Sequence, residues 1–163
     1  MELNLALEKL KPSKQFKDWN KKNPDTFFSY AMKTSDNDAW QLGFYNKKTD
    51  KMTTFIINKE IEMQQEEEIF KKPGMEVEPI EIEKAKIPFE EILKKAEEFQ
   101  KKKYPKELTS KTIAILQNLE QYGTIWNMTF VMHSFKTLNM KINPENGKIL
   151  DHSLESLMDF VKK

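Results

Sequence analysis

The stretch WQLGF, Trp40 to Phe44, is answered by WNMTF, Trp126 to Phe130, eighty-six positions later. In each, Trp, then Leu or Met, then Phe occupy every second residue. A period of two marks a strand that buries one face and wets the other. The same offset sets Leu3, Ala6 and Leu7 on Phe89, Ile92 and Leu93. Removing one hairpin residue sets FIIN, Phe55 to Asn58, on MKIN, Met140 to Asn143. Three elements thus recur in one order, with their apolar positions in phase.

This recurrence predicts a unit of one helix and three antiparallel strands, with a variable fourth, used twice. A lone copy of about 80 residues has one sheet face and one helix stripe to bury, which is marginal for a free-standing domain. Two copies sharing sheets edge to edge, or packing them face to face, relieve that shortage. The expected fold class is α+β: two tandem α-β-β-β(-β) repeats, with the helices on one face of the antiparallel sheet or sheets. The repeats are expected over residues 1–72, the first and degenerate copy, and 87–163, the second copy. Residues 73–86 form an extended linker or edge strand between them.

Local signals fill in the elements. Leu3, Ala6, Leu7 and Leu10 make one helical stripe, Pro12 interrupts it, and Phe16 and Trp19 continue it inward. Strands are expected in TFFSYAMKT, AWQLGFYN and MTTFIIN, and in KTIAILQNL, TIWNMTFVM, KTLNMKIN and KIL. From Lys59 the signal blurs: Ile61 and Met63 alternate, and QQEEEIFKK, residues 64–72, reads either as a short helix or as a charged edge. IPFEEILKKAEEFQKKKYP is the clearest helix: Pro88 suits its first turn, Glu90 and Glu91 its positive end, and Lys101 to Lys103 its negative end. Asn146-Gly147 signals a hairpin turn. SLESLMDFVKK reads as a closing helix capped by Asp151 or Ser153.

Composition bounds the function. With 38% hydrophobic and 33% charged residues, the chain is globular rather than disordered. Net charge is +1, so no bulk field draws it to nucleic acid or an anionic membrane. Every basic residue is lysine, so the bidentate guanidinium fork that reads guanine edges and phosphates is missing. Without cysteine there is no disulfide, thiolate nucleophile or cysteine-based zinc site. MELNLALEKLK mixes acidic with apolar residues, and no run approaches the ~20 apolar residues a membrane span needs. A cytoplasmic protein is expected, or an extracytoplasmic one had a leader been trimmed.

The helix PFEEILKKAEEF, the Trp-centred strand and the ending INPENGKIL, Ile142 to Leu150, resemble the PepSY domain. Most of the likeness lies between Pro88 and Leu150. The first half keeps the helix, Trp40 and Phe55 to Asn58, but lacks the Asn-Gly turn. The resemblance implies an antiparallel sheet with helices on one face, used for binding, with an inhibitory or regulatory role. Tandem copies resemble the arrangement in the β-lactamase inhibitory protein, where a concave sheet grips an enzyme.

Motifs for chemistry are sparse. There is no Gly-rich phosphate loop, no Gly-x-Ser-x-Gly elbow and no His-x-x-x-His pair. No catalytic residue, metal ligand or cofactor is therefore expected. The strand pattern instead turns Gln41 and Tyr45 of one half, and Asn127, Thr129, Val131 and Asn139 of the other, away from the core. Amides, hydroxyls and an aromatic ring suit an adaptable surface for a protein or peptide partner. The expectation is a non-enzymatic binding protein, an inhibitor or regulator, that is a monomer or weak homodimer. Two alternatives stand beside it: an enzyme or metal-dependent regulator using His133 or His152, and a structural protein that self-associates through edge strands, with Met75 to Ile82 as the pairing segment.

Overall fold

Each half begins with an amphipathic helix whose apolar stripe is laid on strands that follow it in sequence. The computed structural model describes residues 1–69 and 74–158. Helix α1, Leu3–Leu10, buries Leu3, Ala6, Leu7 and Leu10. After Pro12 a second helix, α2, Lys14–Lys22, starts where the Ser13 hydroxyl accepts the Phe16 backbone N–H at 3.2 Å. It carries Phe16 into the core and ends at Asn23, ahead of Pro24. Helix α3, Phe89–Lys103, follows Pro88 and buries Phe89, Ile92, Ala96 and Gln100. Glu90 and Glu91 fill its first turn and three lysines its last, as the dipole favours.

The strands are β1 Thr26–Thr34, β2 Trp40–Asn46, β3 Lys51–Ile57, β4 Ile61–Met63, β5 Glu67–Glu68, β6 Thr109–Leu119, β7 Gly123–Met132, β8 Lys136–Ile142 and β9 Ile149–Ser156. They form one continuous antiparallel sheet in the order β4-β3-β2-β1-β6-β7-β8-β9, with β5 also pairing β3. The halves therefore join edge to edge, first strand to first strand.

Register makes the repetition explicit. Trp40 faces Ile57 and Leu42 faces Phe55 in the first half; Trp126 faces Ile142 and Met128 faces Met140 in the second. Leu42 also faces Ala31, as Met128 faces Ala114. Ala31 thus corresponds to Ala114 and Met32 to Ile115. Across the seam Met32 faces Ile115 itself, so a local two-fold axis passes through that pair.

Helices α1, α2 and α3 serve one face of the sheet. Trp40, Leu42, Phe55, Ile57, Trp126, Met128, Phe130, Leu138, Met140 and Ile142 are essentially inaccessible and share one core with the helix stripes. The two indoles meet at the centre, 6.1 Å apart, each against Phe89 at 5.4 and 5.3 Å. Lys33 is nearly enclosed beside them, its ammonium 5.2 Å from the Trp40 ring and 3.0 Å from Asp38.

Two expectations are corrected. The closing helix does not start at Ser153: strand β9 runs through Ser156 paired with β8, and helix begins only at Leu157, so Asp151 and Ser153 are strand residues rather than caps. Its remainder beyond Met158, like Lys72 and Pro73 at the expected repeat boundary, lies outside the described residues. Met75 to Ile82 is not an outer edge strand. A single bridge joins Glu78 to Asn118 near the end of β6, and Ile80 N–H donates to Phe28 O at 3.0 Å. β1 pairs with β6 only from Tyr30 onward, and the connection runs between Phe28 and Asn118 before that pairing starts. Met75 and Val77 lie on the helix-free side beside Tyr30 and Ile115, whereas Ile80 enters the helix-side core. We refer to residues 75–80 as the strap.

Candidate binding face

Strand parity assigns the helix-free face. Residues alternating with the core positions are Tyr30, Met32, Gln41, Gly43, Tyr45, Met52, Thr54 and Ile56 in the first half. In the second they are Ile113, Ile115, Asn127, Thr129, Val131, Thr137, Asn139 and Lys141, with Asp151, Ser153 and Glu155 from β9. No helix covers this face among the described residues.

The six expected contact residues divide into two patches. Gln41 is half-buried on β2, beside Met32 and Ile56. Tyr45 is only 4% exposed. Its ring meets Phe27 at 5.5 Å, its hydroxyl donates to Asp50, and strap residues Glu76 to Pro79 close the hollow around it. The aromatic contact expected at the surface is thus already used internally. Covering by a segment more than thirty residues away cannot be read from the WQLGFY pattern.

Asn127, Thr129 and Asn139 are brought together. Asn139 Nδ2 donates to Asn127 Oδ1 at 2.7 Å and to Thr129 Oγ1 at 3.1 Å. Val131 continues the row, paired with Lys111 and Thr137. Three residues absent from the expected set complete the patch. Lys141 stands directly across from Asn127 and donates to Asn139 Oδ1. Asp151 stands across from Lys141 on the other side. Tyr122, from the β6–β7 turn, reaches over and donates its hydroxyl to Asp151 Oδ2 at 2.9 Å. Partial burial lowers the Lys141 ammonium from the ordinary lysine range, and the Asp151 carboxylate works against that shift. Accepting the Tyr122 hydroxyl raises that phenol above its usual value. Strand alternation in NMKIN already put Lys141 beside Asn139, but one lysine among so many carries no mark of its own.

The histidines of the alternative reading sit in different settings. His133 is exposed in the β7–β8 turn. His152 is on the helix side of β9, its Nδ1 2.9 Å from the Tyr104 hydroxyl and its ring 4.9 Å from Phe99. Among the described residues no three His, Asp or Glu side chains gather as metal ligands would, and no helix is long and apolar enough to cross a membrane.

No protein-family model matches the chain, and no curated protein matches its sequence. Among solved structures it is similar to the crystal structure of a "putative lipoprotein" from Clostridium difficile 630. The TM-score is 0.56 at 8% identity, over 86% of this chain and 90% of that one. At that identity the likeness concerns the fold.

Proposed function

We propose that the chain is a non-enzymatic, PepSY-like binding protein that engages a protein partner, as an inhibitor or regulator, through the helix-free face of its second half. The observation that carries this reading is the contrast between the two parts of that face. The strap and the Tyr30 ring bury Gly43, Tyr45 and Thr54 in the first half, whereas Asn127, Thr129, Val131 and Asn139 remain half-exposed on strands paired on both sides. A face built on paired strands is pre-organised, which lowers the entropic cost of association. The apolar neighbours Met32, Ile113 and Ile115 supply desolvable area beside the polar row.

Substituting Thr129→Arg together with Val131→Glu is expected to leave the thermal midpoint within a few degrees and to abolish capture of partners from a native lysate. Retention of the same partners by the double variant would overturn the reading. The likeness to a protein described as a lipoprotein supports an envelope location, against the cytosolic expectation from sequence. Fractionation of native cells with an antibody to the chain separates those two settings.

A further inference from the structure

The polar row on the second half is directional, and its direction specifies a partner chemistry. An ammonium can only donate, so the Asn139 oxygen must face Lys141. The Asn139 amide nitrogen then points along the sheet, toward Asn127 Oδ1 and Thr129 Oγ1. That turns the Asn127 NH₂ outward, and it donates to no other side chain or backbone group among the described residues. Thr129, having accepted from Asn139, keeps its own hydroxyl proton to give. Lys141 retains donor capacity after its bond to Asn139. Asp151, the nearest carboxylate, has Oδ2 engaged by Tyr122 and Oδ1 by the His152 backbone N–H at 2.9 Å.

One lysine thus orients a chain of groups so that the spare capacity at this spot is donor capacity, beside a positive charge that is partly desolvated. We infer that Lys141, Asn127 and Thr129 form a receptor for a carboxylate side chain, an Asp or Glu, of the protein partner. The inference rests on the open-face reading and names the chemistry of its anchor point. A charge-assisted acceptor satisfies the ammonium and the outward amide together, which a neutral amide cannot do equally well. Asp151 opposes the incoming charge and keeps the isolated site weak, so useful affinity requires the surrounding apolar contacts.

The test is a titration of ¹⁵N-labelled full chain with a blocked tetraglutamate peptide, and with blocked tetraglutamine as control. Saturable shifts of the Asn127 and Asn139 side-chain amides are expected with the first and not the second. Lys141→Gln should weaken the response by about tenfold or more, and Asp151→Asn should strengthen it by about threefold, as expected for losing one charged hydrogen bond or one repulsion. Both variants should keep the wild-type amide dispersion. Equal shifts with tetraglutamine, no shift with tetraglutamate, or an unchanged response in Lys141→Gln would each overturn the inference. The two readings fail differently. A lysate partner lost by the Thr129/Val131 variant but held normally by Lys141→Gln sinks only the carboxylate receptor. A partner held by both variants sinks the open-face reading as well.

Discussion

Trp40 and Trp126 occupy matching strand positions and touch the same phenylalanine, yet their indole N–H groups fare differently. Trp40 Nε1 donates to Met1 O at 2.8 Å, two residues ahead of α1. Trp126 Nε1 is buried without a partner among the described residues. It lies beside Ile87 and Pro88, the corresponding lead into α3. The same divergence appears one turn of strand away. Gly43, matching Thr129, leaves room for the Tyr30 ring to lie flat on the sheet. In the second half a threonine stands there, and the face stays open. Repetition therefore fixes the frame, while single side chains decide where the helix-free face is covered and where it stays open. Lys9 and Lys95 show the frame side of this: Lys9 donates to Asn58 O and Lys59 O beyond β3, and the Lys95 stem lies against Gly147 beyond β8.

The comparison can be broken at its centre. Trp40→Ala and Trp126→Ala should each cost about 3–5 kcal/mol, because each empties a fully enclosed indole site. Trp40→Ala should be the worse, since it also discards a satisfied hydrogen bond. Urea denaturation followed by circular dichroism would measure both, and two separated transitions would show that the halves do not share a core. The next effect is at the glycine. Gly43→Thr should destabilise by about 1–3 kcal/mol, because a Cβ there collides with the Tyr30 ring, while Thr129→Gly should cost about 0.5–1 kcal/mol. Equal costs by the same assay would end the claim that Tyr30 seals one half.

The smallest effect is a pH dependence. Burial raises the Tyr30 phenol above its usual value of 10.0, and its hydrogen bond to Thr54 only partly offsets this. A group with a raised folded-state value keeps its full contribution below the unfolded value and loses it as pH climbs through the folded one. Stability should thus fall above about pH 10 from this group, and Tyr30→Phe should flatten that alkaline decline relative to wild type. An unaltered decline in the variant would place Tyr30 in water.

Much of this frame was legible in the chain because it rests on local pattern. Period-two alternation located seven of the strands at least in part, and the residues that the offset set in correspondence share one register in the β2–β3 and β7–β8 pairs. β9 was misread for a physical reason. DHSLES has one strong hydrophobe, Leu154, and Asp and Ser where a helix cap would stand; pairing with β8 through Leu138 and Met140 overrides those propensities. Tyr45 was placed outside because alternation says which side a residue faces and not what distant segment comes to lie there. Lys141 gained meaning only once Asn127 and Thr129 stood beside it across the strands.

The seam between β1 and β6 carries a further consequence, for how the chain acquires order. Most other strand pairings join neighbours in sequence across a few residues, but Met32 meets Ile115 only by closing a span of about 80 residues. On a logarithmic closure scale that costs about 4 kcal/mol, roughly three times the toll of a tight hairpin of about four residues. The meanders on either side close only short spans, so on this scale the two-fold junction is the last place expected to knit.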